Sequence, residues 1–178
     1  MHPRIAELIE YLNRTRAALE ESAAALSPAE RARRPAPESW SPAEILDHLA
    51  RVEGSIVKLL ARLLAQAADA GLGPEESTAS VLGRLDRYRV ESGVPRAQAS
   101  ERARPSPDAD ADRALDALRA ARAELHRVLR AADGLAVGTL AAPHPVVGEL
   151  DFYGWVLFIA QHEERHRRQL VAAAMAGG

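Results

Sequence analysis

Residues 41–63 read SPAEILDHLARVEGSIVKLLARL and carry the clearest structural signal in the chain. Ser41 can cap a helix, the proline after it suits the first helical position, and Glu44 can close a capping box. Beyond this start, apolar residues recur every three or four positions, as on the buried face of an amphipathic helix. They are Ile45, Leu49, Val52, Ile56, Leu59 or Leu60, and Leu63. The segment predicts a long helix over residues 42–68.

The same helical periodicity appears in residues 3–26, 108–132 and 151–175. Asp151 can cap the last of these helices, and Gly134 follows the third where a C-terminal cap is expected. At a rise of about 1.5 Å per residue, the four helices would each be about 30–40 Å long. Their matched lengths and apolar faces predict an all-α protein, a single four-helix-bundle domain over residues 1–178.

The connection between the second and third helices, residues 69–107, is rich in glycine and proline. It predicts a long crossover with at most one short helix, around residues 78–90. A crossover of this length can leave helices two and three parallel, whereas short links favour antiparallel neighbours. The predicted order is therefore up-down-down-up. Residues 142–148, in the last connection, are predicted to form a loop, since no segment shows the alternation typical of strands.

The overall composition disfavours several classes of function. The 23 basic and 25 acidic residues give a net charge of -2 and form no block of like charge, which argues against nucleic-acid binding. No window approaches the roughly 18 apolar residues of a membrane span, and the N-terminus lacks a signal-peptide core. A cytoplasmic protein is therefore expected. The chain has no cysteine, so disulfides, thiolate metal sites and cysteine nucleophiles are excluded.

Three histidines stand on the predicted inward faces. His162 and His166 are four residues apart in the last helix, so both rings project from one side, one turn apart. His48 follows Ile45 by three and precedes Val52 by four, which places it on the apolar stripe of the second helix. Such imidazoles can form a satisfied polar cluster, or they can hold one metal ion that satisfies several ring nitrogens at once. The position favours a metal site for His162 and His166, but not for His48 taken alone.

A centre with three nitrogen ligands leaves a coordination position open, which is typical of catalytic metals. Water or a substrate atom would take that position. Imidazole nitrogens suit zinc, nickel, iron and copper alike, so the ligand set does not choose the ion.

Several other polar residues allow two interpretations. Glu163 either orients a ligand or acts as a base near the ion, or else it is a solvated glutamate in a charged run. Gln169 either reaches the site or lies on the surface. The crossover residues Arg84, Arg87, Tyr88 and Arg89 form either a lip for an anionic substrate or an ordinary charged face. No role is assigned to His2, His126 and His144.

Several stretches together resemble the DinB/YfiT-like metalloenzyme superfamily. They are WSPAEILDHL at residues 40–49, HP at 144–145 with GEL at 148–150, Trp155, and HEERHRRQL at 162–170. The resemblance covers nearly the whole chain in order, spacing and helix context. It implies a four-helix bundle with a long crossover, a homodimer, and one divalent ion such as zinc or nickel. The ligands that it implies are His48, His162 and His166.

The activity implied by the resemblance is less uniform. Some relatives are transferases or isomerases that depend on a low-molecular-weight thiol such as bacillithiol or mycothiol, and others are described as metal-dependent hydrolases. We therefore expect an enzyme whose ion activates a thiol or a water molecule. Any thiol must come from outside the cysteine-free chain. The alternatives are a non-catalytic metal- or ligand-binding bundle and an interaction bundle without metal.

Overall fold

The computed structural model describes residues 1–92 and 101–175 of the chain. Its helices are α1 (Pro3–Ala24), α2 (Pro28–Ala32), α3 (Pro42–Ala70), α4 (Ala111–Ala131) and α5 (Phe152–Met175), and its strands are β1 (Ala141–His144) and β2 (Gly148–Asp151). All the helices except α2 are long, and these four form the bundle. The prediction of an all-α four-helix bundle is confirmed. None of the helices in the described ranges combines the length and the apolarity that a bilayer crossing requires.

Two hydrophobic clusters, one at each end of the bundle, define the direction of its helices. One cluster joins the end of α1 and of α5 to the start of α3 and of α4, through Leu19, Leu170, Ile45 and Leu115. The other joins the start of α1 and of α5 to the end of α3 and of α4, through Leu8, Val156, Leu60 and Leu129. Helices α1 and α5 therefore run one way and α3 and α4 run the other, which confirms the up-down-down-up order.

The start of α3 is fixed by the capping box that its sequence predicts. The Ser41 hydroxyl accepts a hydrogen bond from the Glu44 amide at 3.2 Å, and the Glu44 carboxylate accepts one from the Ser41 amide at 2.8 Å. These bonds satisfy two amides that a helix start leaves without helical partners. The helix ends at Ala70, two residues beyond the predicted end, and Gly71 follows as its C-cap with a φ of +77°, which suits glycine.

Two other helix ends differ from the prediction by a few residues. Helix α1 ends at Ala24 rather than at residue 26. Helix α4 begins at Ala111 rather than at residue 108, because Asp110 is its N-cap and accepts a hydrogen bond from the Arg113 amide at 2.9 Å. His2 has a role that the sequence does not indicate, since its Nδ1 accepts from the amide two residues further on and caps α1.

Residues 141–151 form an antiparallel hairpin, so the prediction of a strand-free loop is wrong. Each strand has only four residues and no clear alternation, which leaves too little pattern for the sequence to reveal. Packing on the bundle stabilises the hairpin. Ala142 and Leu150 are buried, and the Trp155 indole N–H donates to the Ala142 carbonyl at 3.3 Å. Gly148, the first residue of β2 after the turn, has a φ of +82°, a conformation that favours glycine.

Part of the predicted crossover, residues 93–100, lies outside the described residues. Before it, the structure has two 3-10 turns, Asp86–Tyr88 and Val90–Ser92, at the end of the range around residues 78–90 where the sequence predicts at most one short helix. After it, the Ser106 amide donates to the Asp47 carboxylate at 2.7 Å. This contact fastens the end of the crossover beside the first turns of α3.

Ser41→Ala tests the start of α3. The substitution removes the oxygen that accepts the Glu44 amide, so we expect the free energy of unfolding to fall by about 1 kcal/mol, as measured by chemical denaturation. Ser27→Ala is the matched control, because Ser27 closes the same kind of box with Glu30 on the exposed five-residue helix α2. The control should cost well under half as much. Equal losses would contradict the importance of the α3 cap.

Candidate metal centre

Three histidine side chains meet in the interior of the bundle. Helix α3 contributes His48, and α5 contributes His162 and His166 from successive turns of one face. One ring nitrogen from each lies within 4.8 Å of the others. The Nε2 atom of His162 is 3.4 Å from that of His48 and 3.1 Å from that of His166. In chain order the three residues are 4%, 9% and 5% exposed, so the cluster is buried.

In two of the rings, the nitrogen that faces away from the cluster, Nδ1, has a hydrogen-bond partner. His48 Nδ1 lies 2.6 Å from the carbonyl oxygen of Ala103, at the end of the crossover. His166 Nδ1 lies 2.9 Å from Oε1 of Gln169. Both partners are acceptors, so each Nδ1 carries the ring proton and each Nε2 presents a lone pair to the other rings. Gln169 therefore reaches the cluster, although it is itself an exposed residue.

This donor set fits a divalent metal ion. Two nitrogens bound to one zinc ion at about 2.0–2.1 Å with tetrahedral angles lie about 3.3 Å apart. Two of the three nitrogen pairs, His48–His162 and His162–His166, are separated by 3.4 Å and 3.1 Å, and all three nitrogens lie within 4.8 Å of one another. A carbonyl and an amide oxygen behind the rings are the kind of partner that metal-binding histidines have. The three histidines thus form a buried group that could hold a metal ion.

The surroundings keep the three imidazoles neutral. Burial lowers the pKa of His48, and the charge of Arg165 lowers it further, against the opposing hydrogen bond to Ala103. Burial and the neighbouring rings hold the pKa of His162 well below its usual value. Burial, His48 and Arg165 together lower the pKa of His166 to about 3. At neutral pH the cluster can therefore bind a cation without first losing protons.

Aromatic rings cover the cluster on two sides. Trp40, which precedes the cap of α3, has its ring centroid 4.9 Å from that of His48 and 6.4 Å from that of His166. Phe158 stacks on His162 with centroids 5.2 Å apart and ring planes 19° apart. These contacts fix the tilt of the imidazoles and keep bulk water away from their faces.

The remaining histidines lie outside the cluster. His144 of β1 packs on Phe158 with ring centroids 4.4 Å apart, and its Nδ1 accepts hydrogen bonds from the amides of Val146 and Val147. It therefore closes the hairpin turn and supports an aromatic ring of the site. His126 lies on α4, where its Nε2 atom is buried and has no partner among the described residues.

Glu163, the candidate base, is only 1% exposed. Its carboxylate accepts hydrogen bonds from Arg16 Nε at 2.6 Å, from the Thr15 hydroxyl at 2.7 Å and from Arg122 Nη2 at 3.1 Å. Burial excludes the interpretation as a solvated glutamate. Since three donors engage the carboxylate, the geometry favours an orienting role over that of a base.

The ion-pair network around Glu163 takes one charged residue from each bundle helix. Glu53 on α3 accepts from Arg16 Nη2 at 2.5 Å and from Arg122 Nε at 2.8 Å, so each arginine bridges both glutamates. All four residues are at most 7% exposed. Burial opposes the charge of Arg122, but the two carboxylates outweigh it and raise its pKa. Two negative and two positive groups therefore balance inside the bundle.

The crossover residues that could form either a lip for an anionic substrate or a charged face contact other side chains of the protein. Arg84 forms an ion pair with Asp151 at 2.8 Å. The Arg87 guanidinium lies over the Tyr88 ring and donates to its hydroxyl at 2.9 Å. Arg89 is exposed and has a φ of +50°. These placements favour the charged face.

Sequence reasoning missed the network and two supports of the cluster. Arg16 and Arg122 stand on the apolar stripes of their helices, each flanked by leucines at helical spacing. A charged residue at a stripe position is a signal that could have found them, because it must be paired when buried. Trp40 belongs to the quoted motif, but nothing local connects it to the rings. The contact from the backbone carbonyl of Ala103 has no signal in the sequence.

Comparison with known proteins identifies the family. The DinB superfamily model matches residues 11–170. The chain belongs to the DinB superfamily. The matched range contains all three cluster histidines and all four network residues, so both features lie in the part of the chain that carries the DinB pattern. The family resemblance of the sequence motifs is confirmed.

A solved structure shares the fold of this DinB protein. It is a crystal structure described as TT2238, a four-helix bundle protein, with 24% sequence identity and a TM-score of 0.61. The alignment covers 94% of this chain and 98% of the other. At this identity the likeness supports the fold alone. The comparison with curated proteins gives no match.

The metal-free DinB protein should lose stability as the pH falls below 6.5. The pKa of His166 is about 3 in the folded chain against 6.5 for an unperturbed histidine, so between these values only the unfolded chain binds this proton. The free energy of unfolding should fall by about 1.4 kcal/mol per pH unit for each such histidine. Urea denaturation from pH 6.5 to about 5, above most carboxylate titrations, measures the slope. His166→Asn should make this slope shallower. An unchanged slope would show that His166 does not contribute to the pH dependence.

Glu163→Ala should destabilise the bundle by about 3–5 kcal/mol, because it leaves buried guanidinium groups without a counter-charge. Thermal and chemical denaturation measure the loss. The control is Glu124→Ala, which removes a surface pair with Arg127 on α4 and should change the stability by at most about 0.5 kcal/mol. Similar losses in both variants would show that the network contributes no more than a surface pair does.

Proposed function

We propose that this protein holds one divalent metal ion, zinc or nickel, through His48, His162 and His166, and that it is an enzyme acting through that ion. The observation that carries the proposal is the convergence of three buried Nε2 atoms whose rings are neutral. Two of the rings turn their protons outward to protein acceptors, which is the arrangement that a bound cation requires. Membership of the DinB superfamily supports the same conclusion.

In this proposal the chain supplies three nitrogen ligands and leaves further coordination to an external group. A divalent ion in such a site is a Lewis acid that lowers the pKa of a thiol or water bound to it. The carbonyl of Ala103 fixes the orientation of His48, and the amide of Gln169 fixes that of His166. Trp40 and Phe158 shield the rings from bulk water, which strengthens electrostatic interactions inside the site.

The nucleophile in this proposal comes from outside the chain. Because the sequence has no cysteine, a thiol-dependent transfer or isomerisation needs a low-molecular-weight thiol as cosubstrate. A hydrolysis needs only water. Assays of the metal-loaded protein with a small thiol and an electrophile, and separately with ester and amide substrates, distinguish these two reaction classes.

The burial of the cluster favours a second candidate function, a non-catalytic ion that ties α3 to α5. None of the three residues is more than 9% exposed. A structural ion should stabilise the fold strongly, so a chelator would lower the melting temperature by a large amount. Both hydrophobic clusters form without the histidines, however, which favours a small shift and an ion bound to a self-sufficient core.

Elemental analysis of untagged protein tests the site directly. We expect about one zinc or nickel ion per chain and its loss in His162→Ala, since that substitution removes one of three ligands. The matched control is His126→Ala, a histidine of α4 outside the cluster, which should keep the ion. Equal metal content in wild type and His162→Ala would show that the ion is not bound at the proposed site. A wild type that is empty and refuses added zinc and nickel would overturn the proposal.

A further inference from the structure

A small cavity lies between the candidate metal centre and the ion-pair network. It is lined by Leu49, Val52, Glu53, Ile159, His162 and Glu163. About 10 Å³ of it is open to the centre of a water molecule, which is close to the least space that one molecule needs. One residue of the cluster, His162, and two of the network, Glu53 and Glu163, therefore border a common space.

His162 differs from the other cluster histidines in its outer contacts. Both of its hydrogen bonds within the described part of the chain run through Nε2, towards His48 and His166. The ring of Phe158 covers one of its faces. When Nε2 is a metal ligand, a neutral His162 carries its proton on Nδ1. The residue is only 9% exposed, and an N–H in such surroundings is costly without an acceptor, so an acceptor on the Nδ1 side of this ring would stabilise the metal-bound form.

The carboxylates of Glu53 and Glu163 can each accept a further hydrogen bond. Glu163 already accepts hydrogen bonds from Arg16, Thr15 and Arg122. Glu53 accepts one from Arg16 and two from Arg122. A carboxylate offers about four acceptor sites, so each glutamate has about one left. Since His162, Glu53 and Glu163 all line the cavity, a water molecule there has candidates for the two to four polar partners that buried waters have.

We infer that one buried water molecule accepts the Nδ1 proton of His162 and donates its own protons to the carboxylates of Glu53 and Glu163. The inference rests on the metal site proposed above. It gives every ligand an outer partner, since His48 has a carbonyl behind it and His166 an amide. Glu53 and Glu163 are thereby positioning residues of the metal centre, and they act on His162 through the water.

Val52→Ile tests the inference without touching a charged residue. The added methyl group fills the cavity that Val52 lines and expels the water. Loss of an outer partner should weaken zinc binding by about ten-fold or more, while the melting temperature of the metal-free protein stays level or rises. Val52→Thr is the volume-matched control. It leaves room for the water and should bind zinc within about two-fold of wild type in a chelator-competition titration.

A crystal structure of the zinc-loaded wild type gives a readout that does not depend on the variants. We expect a water within about 3.2 Å of His162 Nδ1 and of a carboxylate oxygen of Glu53 or Glu163. A dry cavity, or zinc binding by Val52→Ile within about two-fold of wild type, overturns this inference and leaves the metal site in place. A wild type that binds neither zinc nor nickel overturns both.

Discussion

The four buried charges of Arg16, Glu53, Arg122 and Glu163 constrain every helix of the bundle at once. Each helix contributes one member, and each arginine bridges both glutamates. Sliding one helix by a turn would separate a charge from its partners and leave it uncompensated in the interior, which is far more costly than a shifted leucine contact. The apolar stripes repeat along each helix and tolerate such slides better. The network therefore supplies the axial register that the stripes leave open.

The histidine cluster needs the same register. Glu163 directly follows His162 on α5, and Glu53 lies five residues beyond His48 on α3. Glu53 and Glu163 share the same two arginines, so the network holds the two ligand-bearing helices in line close to the point where their ligands meet. The end of the crossover adds a second restraint, because the carbonyl of Ala103 sets the direction of His48. The candidate metal centre is thus fixed by contacts from helices and crossover together.

Local patterns explain what could be predicted from the sequence. The cap at Ser41 and the helical periodicity of apolar residues are properties of neighbouring positions, so they predicted the bundle, its order and the inward placement of His48. Contacts between distant segments are not encoded in this way. Glu163 sits in a charged run, and its burial becomes tolerable only because Arg16 and Arg122 reach it from two other helices. The hairpin that ends at Asp151 was missed because packing on the bundle, rather than strand alternation, stabilises it.

The charge balance of the interior bears on the chemistry of the proposed centre. Three neutral imidazoles would leave the full charge of a divalent ion uncompensated, and a buried unpaired charge is unstable. The carboxylates of Glu53 and Glu163 are already matched by two guanidinium groups. The positive charge of Arg165 lowers the pKa of all three rings, and the negative charge of Asp47 opposes it only at His48. In the proposed centre, an anion from outside the chain in the open position would compensate the charge of the ion, which favours a ligand that ionises on binding. A thiol meets this requirement more readily than water does, because its pKa is much lower before it meets the ion.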